Sequence, residues 1–408
     1  MDAFDSIRVS RAAWLRGSFL APFVPAYWRR LIERQYAPDT VQHYMCGLAH
    51  FAHWSRRARL DLDSVGPAVE RFIDEHLPRC RCPHPVLRGP LLVRAALRHL
   101  QAVLADHGIH DDLRSVDPVD TELRRFDEHL RDANGLASST RQRRRTVVAS
   151  LLHTTSSMTP SADELRAFVA QEISRLSPVG GAAVATALRS YLRFRAFEGD
   201  HVKQLLPLIV SPAHWRLAGL PQTLLRTEVE QLLSAFPPNL PSRRRAYAMV
   251  RCIVDLGLRT SEVIGLSLDD IDWEAGTLRI AKGKSRRVDV MPLPQTTGSA
   301  IADYVRFERR QTINRRVFVR HVAPVDEPVG TTVVRRAVLE AYRRSGLPHT
   351  RIHILRHTLA SRLLDTGGTL KEVADVLRHR ELNTTMIYAK VDLGRLTAVA
   401  MPWPGSAA

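Results

Sequence analysis

Apolar positions recur at helical spacing through the first two hundred residues. Val41, Tyr44, Leu48, Phe51 and Trp54 fall on one face of a run that opens at Pro38-Asp39-Thr40, where Asp39 or Thr40 is expected to cap the free N–H groups. About a hundred positions later, Ser138-Ser139-Thr140 opens a second run through Val147, Val148, Leu151 and Leu152. Each run is followed by a shorter apolar element, Val69 to Ile73 and Leu165 to Val169. Each then has a third element that closes at a glycine, Gly108 and Gly199. The order and spacing read as two related helical modules, residues 1–115 and 116–205. Between Leu206 and Pro221 periodicity fades and prolines recur, so residues 206–221 read as a linker.

Periodicity returns after the linker. Thr227 with Glu230 forms a capping-box pattern. A helix from Arg245 to Leu256 is expected to stop at Gly257, and Ser261 to cap the next one. Leu278-Arg-Ile280 and Val288-Asp-Val290 alternate with period two and bracket Lys282-Gly283-Lys284-Ser285, which predicts a β-hairpin with a cationic turn. Ile352, Leu355, Leu359 and Leu363 predict the buried stripe of a further helix, with His353 and Arg356 neighbours on an adjoining face. Thr369 and Glu372 form another capping box before Leu370, Val373, Ala374 and Leu377. His379 follows that helix, and Asn383 is placed to cap the element that holds Tyr388. The fold class that follows is mainly α with a small antiparallel β-sheet: helical N-terminal modules and a mixed α+β domain over residues 222–400, with residues 401–408 as a tail.

Charge changes the picture from fold to partner. Among 408 residues, 59 are Lys or Arg and 42 are Asp or Glu, a net charge of +17. Such a surplus attracts polyanions, of which nucleic acid is the common one inside a cell. Arg141, Arg143, Arg144 and Arg145 follow the Ser-Ser-Thr signal directly. Cations at a helix N-terminus oppose the macrodipole, so a phosphate backbone is the expected counterpart. No apolar run approaches the roughly 20 residues that span a bilayer, and the N-terminus lacks a signal-peptide pattern, so the expectation is a cytoplasmic protein with no membrane partner. Four cysteines argue for a reducing compartment; Cys46 and Cys252 sit in apolar helical patterns as small core residues. His76, Cys80, Cys82 and His84 could ligate zinc. Only Arg81 separates the two cysteines, though, where paired zinc ligands usually stand two to four residues apart. A proline-rich loop with incidental Cys and His is the favoured reading, and no metal is assigned.

The C-terminal residues resemble the catalytic domain of tyrosine site-specific recombinases of the phage-integrase and Xer type. That family carries Gly-Leu-Arg-x-x-Glu, a Gly-Lys-Gly hairpin, His-x-x-Arg-His, Leu-Gly-His, and a tyrosine nine positions beyond the last histidine. Here these stand as Gly257-Leu258-Arg259-Thr-Ser-Glu262, Ala281-Lys282-Gly283, His353-Ile-Leu-Arg356-His357, Leu377-Arg378-His379 and Tyr388. The resemblance implies a catalytic set of Arg259, Lys282, His353, Arg356, His379 and the nucleophile Tyr388. It also implies double-stranded DNA as substrate, a covalent 3′-phosphotyrosyl intermediate, helical modules that clamp the DNA, and a homo- or hetero-tetramer on paired sites. Arginines would take the place of a metal, so no cofactor is implied. Ala281 and Arg378 depart from the family pattern: the hairpin turn after Lys282 is one residue short, which makes Lys284 a rival for its role and a DNA-contact candidate. A glycine replaced before His379 matters if that position needs a positive φ. Site-specific recombination for a mobile element is the leading reading. The alternatives are a type IB topoisomerase and a non-catalytic DNA-binding accessory of a recombinase complex.

Overall fold

The computed structural model describes residues 9–83, 86–109, 118–213, 221–280, 288–379 and 384–391. It divides into two compact units: residues 1–32 with 38–216, and residues 33–37 with 217–408.

Among its described residues the regular elements of the first unit are all helical: α1 (Val9–Arg16), α2 (Val24–Glu33), α3 (Pro38–Arg57), α4 (Val65–Arg71), α5 (Pro90–Asp106), α6 (Pro118–Asp132), α7 (Ser138–Leu152), α8 (Ala162–Arg175) and α9 (Pro178–Phe197). Val41, Tyr44, Leu48 and Phe51 of α3 are buried as their spacing requires, and α3 packs on α1 and α5. The second half builds its own core from Phe126, Val148, Leu151, Phe168, Leu188 and Tyr191, with α7 packed on α6 and α9. The Tyr191 hydroxyl donates to buried Glu122 at 2.9 Å, which satisfies the one polar group that ring carries inward.

Two capping expectations are corrected. Helix α3 starts at Pro38, so Asp39 and Thr40 lie inside its first turn; proline suits that place because its missing N–H would be unpaired there anyway. Helix α7 starts at Ser138 behind Ala137, and none of the hydroxyls of Ser138, Ser139 and Thr140 is at the cap position. The stretch from Leu206 is less linker-like than its prolines suggest. Residues Lys203–Leu208 form a 3-10 helix, and Leu205 and Ile209 are buried in the helical core.

The second unit is α+β. Its helices are α10 (Arg226–Ser234), α11 (Arg243–Leu256), α12 (Thr260–Gly265), α13 (Gln295–Phe307), α14 (Thr331–Arg344), α15 (His353–Asp365) and α16 (Leu370–Val376). The strands β1 (Ile271–Asp272), β2 (Thr277–Ile280) and β3 (Asp289–Pro292) form an antiparallel sheet in that order. Helix α11 is the hub: Met249, Cys252, Ile253 and Leu256 are buried, and α13, α14 and α15 pack on it. The hairpin pairs Leu278 with Met291 and Ile280 with Asp289. In its second strand Val288 and Val290 are exposed and Met291 turns to the core, because pairing register decides which alternate residues point inward.

Helix starts in this unit also differ from the sequence reading. Helix α10 begins at Arg226, and Glu228 accepts from the Leu225 N–H at 2.7 Å; Glu230 instead pairs with Arg226. The Thr369–Glu372 capping box forms as expected. In α15 the inward residues are Ile354, Leu355, Arg356, Thr358, Ala360 and Leu364, while Ile352, Leu359 and Leu363 are half-buried. A cation, Arg356, shares that inner face. None of the described helices is long and apolar enough to cross a membrane.

Candidate active site

The site is built on a left-handed turn at a glycine. Gly257 ends α11 at φ +57°, and a Cβ there would lie 2.8 Å from Leu377 and 2.9 Å from Leu359. The left-handed turn exposes the Gly257 carbonyl, which accepts from both Arg356 and Arg378. Two residues on, Arg259 stands at the cap position of α12. Glu262, not Ser261, closes this helix: its carboxylate accepts from the Arg259 N–H at 2.8 Å and from the Arg259 guanidinium at 2.6 Å. The other arm of Arg259 donates to the Arg378 carbonyl at 3.1 Å.

Arg356 is buried on α15 and donates to the Gly257 and Leu377 carbonyls. Burial, then the charges of Arg259 and Arg378, pull its pKa down to about 9, which leaves it cationic at neutral pH. Two of its five N–H groups are committed to backbone, and the rest keep their donor capacity. Arg259 and Arg356 are thus held as two fixed cations whose orientation is set by backbone carbonyls and one carboxylate.

Arg378 answers the question its position raised. It does adopt φ +54°, the conformation that favours glycine. Its guanidinium folds inward, donating to Glu262 at 2.9 Å, to Gly257 at 3.3 Å and to Val376 at 2.8 Å. Both partners of the Arg378–Glu262 pair are almost wholly buried. Burial alone would raise the Glu262 pKa, but Arg378 and the bonds from Arg259 outweigh it and hold the carboxyl below its ordinary value. One carboxylate therefore organises two guanidiniums.

His353 opens α15 with its side chain accessible; partial desolvation, then Arg356 and Arg259, lower its pKa. Nδ1 of His379 lies 2.8 Å from the hydroxyl of buried Thr385, and burial plus Arg356, Arg259 and Arg378 lower this histidine to about 4. Tyr388 lies on the 3-10 turn Met386–Val391 and is 2% exposed. Burial raises its phenol to about 12, with Arg356 opposing the shift. Its hydroxyl is 2.7 Å from Nδ1 of His357, which burial, His353 and Arg356 lower to about 4. His357 stands in the His-x-x-Arg-His motif but outside the implied catalytic set. Its spacing, one residue past Arg356, gave no signal that it would meet a tyrosine thirty-one positions away.

Lys282, Lys284 and Asn383 lie outside the described residues, as does the tail. Of the basic run on α7, Arg141 pairs with Asp127 at 3.1 Å and Arg144 bonds Ser190 at 2.8 Å. Arg143 is exposed and Arg145 half-buried.

The sequence profile of the phage integrase family matches residues 222–395. The chain is 36% identical over 402 residues, 95% of either chain, to a Sinorhizobium fredii protein provisionally named integrase/recombinase y4rA. It is 32% identical over 213 residues to the tyrosine recombinase XerA of Thermococcus kodakarensis, spanning 52% of this chain and 71% of that one. Among solved structures, the XerH site-specific recombinase bound to its palindromic difH substrate shares the fold at TM-score 0.53 and 19% identity, over 71% of this chain and 98% of that one. Lambda integrase residues 75–356, bound as a dimer to a core site, shares it at TM-score 0.53 and 15% identity, over 67% and 96%. Fold and sequence define a tyrosine recombinase, an enzyme that breaks and rejoins DNA strands. Within that class the chain belongs to the phage integrase family.

Proposed function

We propose that this chain recombines specific double-stranded DNA sites of a mobile element, with Tyr388 as nucleophile. The phenolic oxygen attacks phosphorus, the bond to the 5′-oxygen breaks, and the DNA 3′-phosphate remains on the tyrosine as a diester that a second 5′-hydroxyl can reverse. Arg259 and Arg356 grip the two non-bridging oxygens and stabilise the charge of the five-coordinate transition state. His379 donates to the same phosphate, His353 accepts the phenolic proton, and Lys282, with Lys284 as its rival, protonates the leaving 5′-oxygen. His357 orients the phenol.

The observation that carries this reading is the shared frame of Arg259 and Arg356. Gly257 positions one through its carbonyl, Glu262 positions the other, and Arg378 ties Gly257 to Glu262. Fixed donors of this kind need little reorganisation when the transition state forms. The helical modules supply the clamp, with Arg141, Arg143, Arg144 and Arg145 as phosphate contacts; Lys284 of the hairpin turn adds another, and a tetramer assembles on paired sites. In that assembly the C-terminal segment 392–408, the end of the catalytic domain together with the tail, docks on a neighbouring protomer.

Nicked suicide duplexes test the reading, because the short fragment diffuses away and traps the covalent adduct. A site-specific recombinase forms the adduct on one sequence in the presence of excess competitor DNA. Adducts on every sequence would favour a topoisomerase, and no adduct on any duplex would favour a DNA-binding accessory.

A further inference from the structure

Far from Arg259 and Tyr388 in sequence, four side chains of the first unit converge on one point. They are His50 in the middle of α3, His76 at the end of the π-helical turn Phe72–His76, and Cys80 and Cys82 in the segment that follows. Their ligand atoms all lie within 4.8 Å of one another. Nε2 of His76 is 3.4 Å from Nε2 of His50. Sγ of Cys80 is 3.3 Å from Nε2 of His50, and Sγ of Cys82 is 3.5 Å from Nε2 of His76. A tetrahedral zinc ion bonds nitrogen at about 2.0–2.1 Å and sulfur at about 2.3 Å, which sets neighbouring ligands about 3.3–3.8 Å apart. The three measured separations fall in that interval. We propose that His50, His76, Cys80 and Cys82 form a structural zinc site in the N-terminal module.

The surroundings fit a metal better than a hydrogen-bonded core. Nδ1 of His50 lies 2.9 Å from the Leu87 carbonyl; donation there places the proton on Nδ1 and leaves the Nε2 lone pair aimed into the cluster. The Cys82 N–H lies 3.4 Å from Sγ of Cys80, a donor suited to a thiolate. His50, Cys80 and Cys82 are buried, and Phe72 and Trp54 pack on the imidazoles. Two imidazole nitrogens facing each other in such a place share at most one proton, whereas an ion satisfies both. Two thiolates balance the charge of a divalent cation, so the loaded site is neutral, and loading releases the two thiol protons. A set of two nitrogens and two sulfurs selects zinc among the common divalent metals, and four protein ligands leave no open position for catalysis.

Sequence spacing concealed this site because its fourth ligand is His50, not His84, which lies outside the described residues. His50 is twenty-six positions before His76 and reaches it only because α3 packs beside the π-helical turn. The single-residue gap between Cys80 and Cys82 is accommodated because the other two ligands come from separate elements. The site would pin the segment after α4 to the centre of α3 at a point where no regular helix continues.

The full chain is purified from zinc-supplemented medium, its metal counted by mass spectrometry, and the ion then exchanged for cobalt. The expected result is one zinc per chain, with tetrahedral ligand-field bands and a thiolate-to-cobalt charge-transfer band after exchange. Substitution of Cys80→Ser with Cys82→Ser abolishes the bound metal, and Cys252→Ser, at a buried cysteine in the other unit, leaves it in place. Absence of stoichiometric metal from the wild-type chain, a cobalt spectrum without the charge-transfer band, or retention of metal by the double variant would each overturn the proposal. The cobalt spectrum is read on the wild-type chain, so it decides the matter even if the double variant fails to fold.

Discussion

The hydroxyl of Tyr388 and Nδ1 of His357 stand 2.7 Å apart, inside a region where the phenol is almost wholly buried. Burial, His353 and Arg356 keep His357 neutral at physiological pH. Loss of that partner leaves a buried hydroxyl unsatisfied, which costs about 1–3 kcal/mol. His357→Ala is therefore expected to lower stability by about that amount and to speed amide exchange over residues 384–391. Unchanged exchange there would show that the bond does not hold the segment.

Arg378 carries opposing terms in one residue. Its positive φ costs on the order of 1–3 kcal/mol, and removal of one partner from a buried ion pair costs about 3–5 kcal/mol. Arg378→Gly relieves the first and incurs the second, tempered because Arg259 still reaches Glu262. The expected result of denaturant titration is a net loss of about 1–3 kcal/mol; a gain in stability would mean that backbone strain dominates.

Arg259 is the less buried member of the arginine pair, so its removal perturbs the core less. Arg259→Ala is expected to slow covalent adduct formation by on the order of 10²–10³-fold. Arg259→Lys should restore only part of that rate, because an ammonium lacks the planar fork. Full activity of the lysine variant would argue against a bidentate grip on phosphate.

Three histidines of the site have depressed pKa values: His353 is lowered, and His357 and His379 fall to about 4. The unfolded chain binds these protons more readily, near pH 6.5, so the contribution to stability is complete above about 6.5 and is lost as pH falls toward about 4. Amide exchange in α15 and α16 is expected to accelerate between pH 7 and pH 5, after correction for intrinsic rates. A flat profile would show that the histidines remain accessible enough to protonate without cost.

Much of the catalytic half was legible in the sequence because its signals are local. Gly257 ends α11 at a positive φ, Thr369 and Glu372 form their box, and the residues of His353-Ile-Leu-Arg356-His357 lie on one helix. What escaped was tertiary. Ser261 looks like a cap, but Glu262 does that work because Arg259 and Arg378 hold its carboxylate in place. Alternation marks Val288 to Val290 as a strand but does not say which face is inward, and register turns both valines outward. His357 and His50 each meet a partner far along the chain, and no spacing rule connects them. Arg378 was visible as a departure from the family pattern, but not as the residue that links Gly257 to Glu262.

The central claim is that Tyr388 forms the covalent bond to DNA. Its most direct test is to trap the adduct on a nicked duplex, digest protein and DNA, and locate the nucleotide-bearing peptide by mass spectrometry. The expected result is a single modified peptide with a 3′-phosphodiester on Tyr388, absent from Tyr388→Phe. An adduct that persists in the phenylalanine variant, or that maps to another residue, would contradict it.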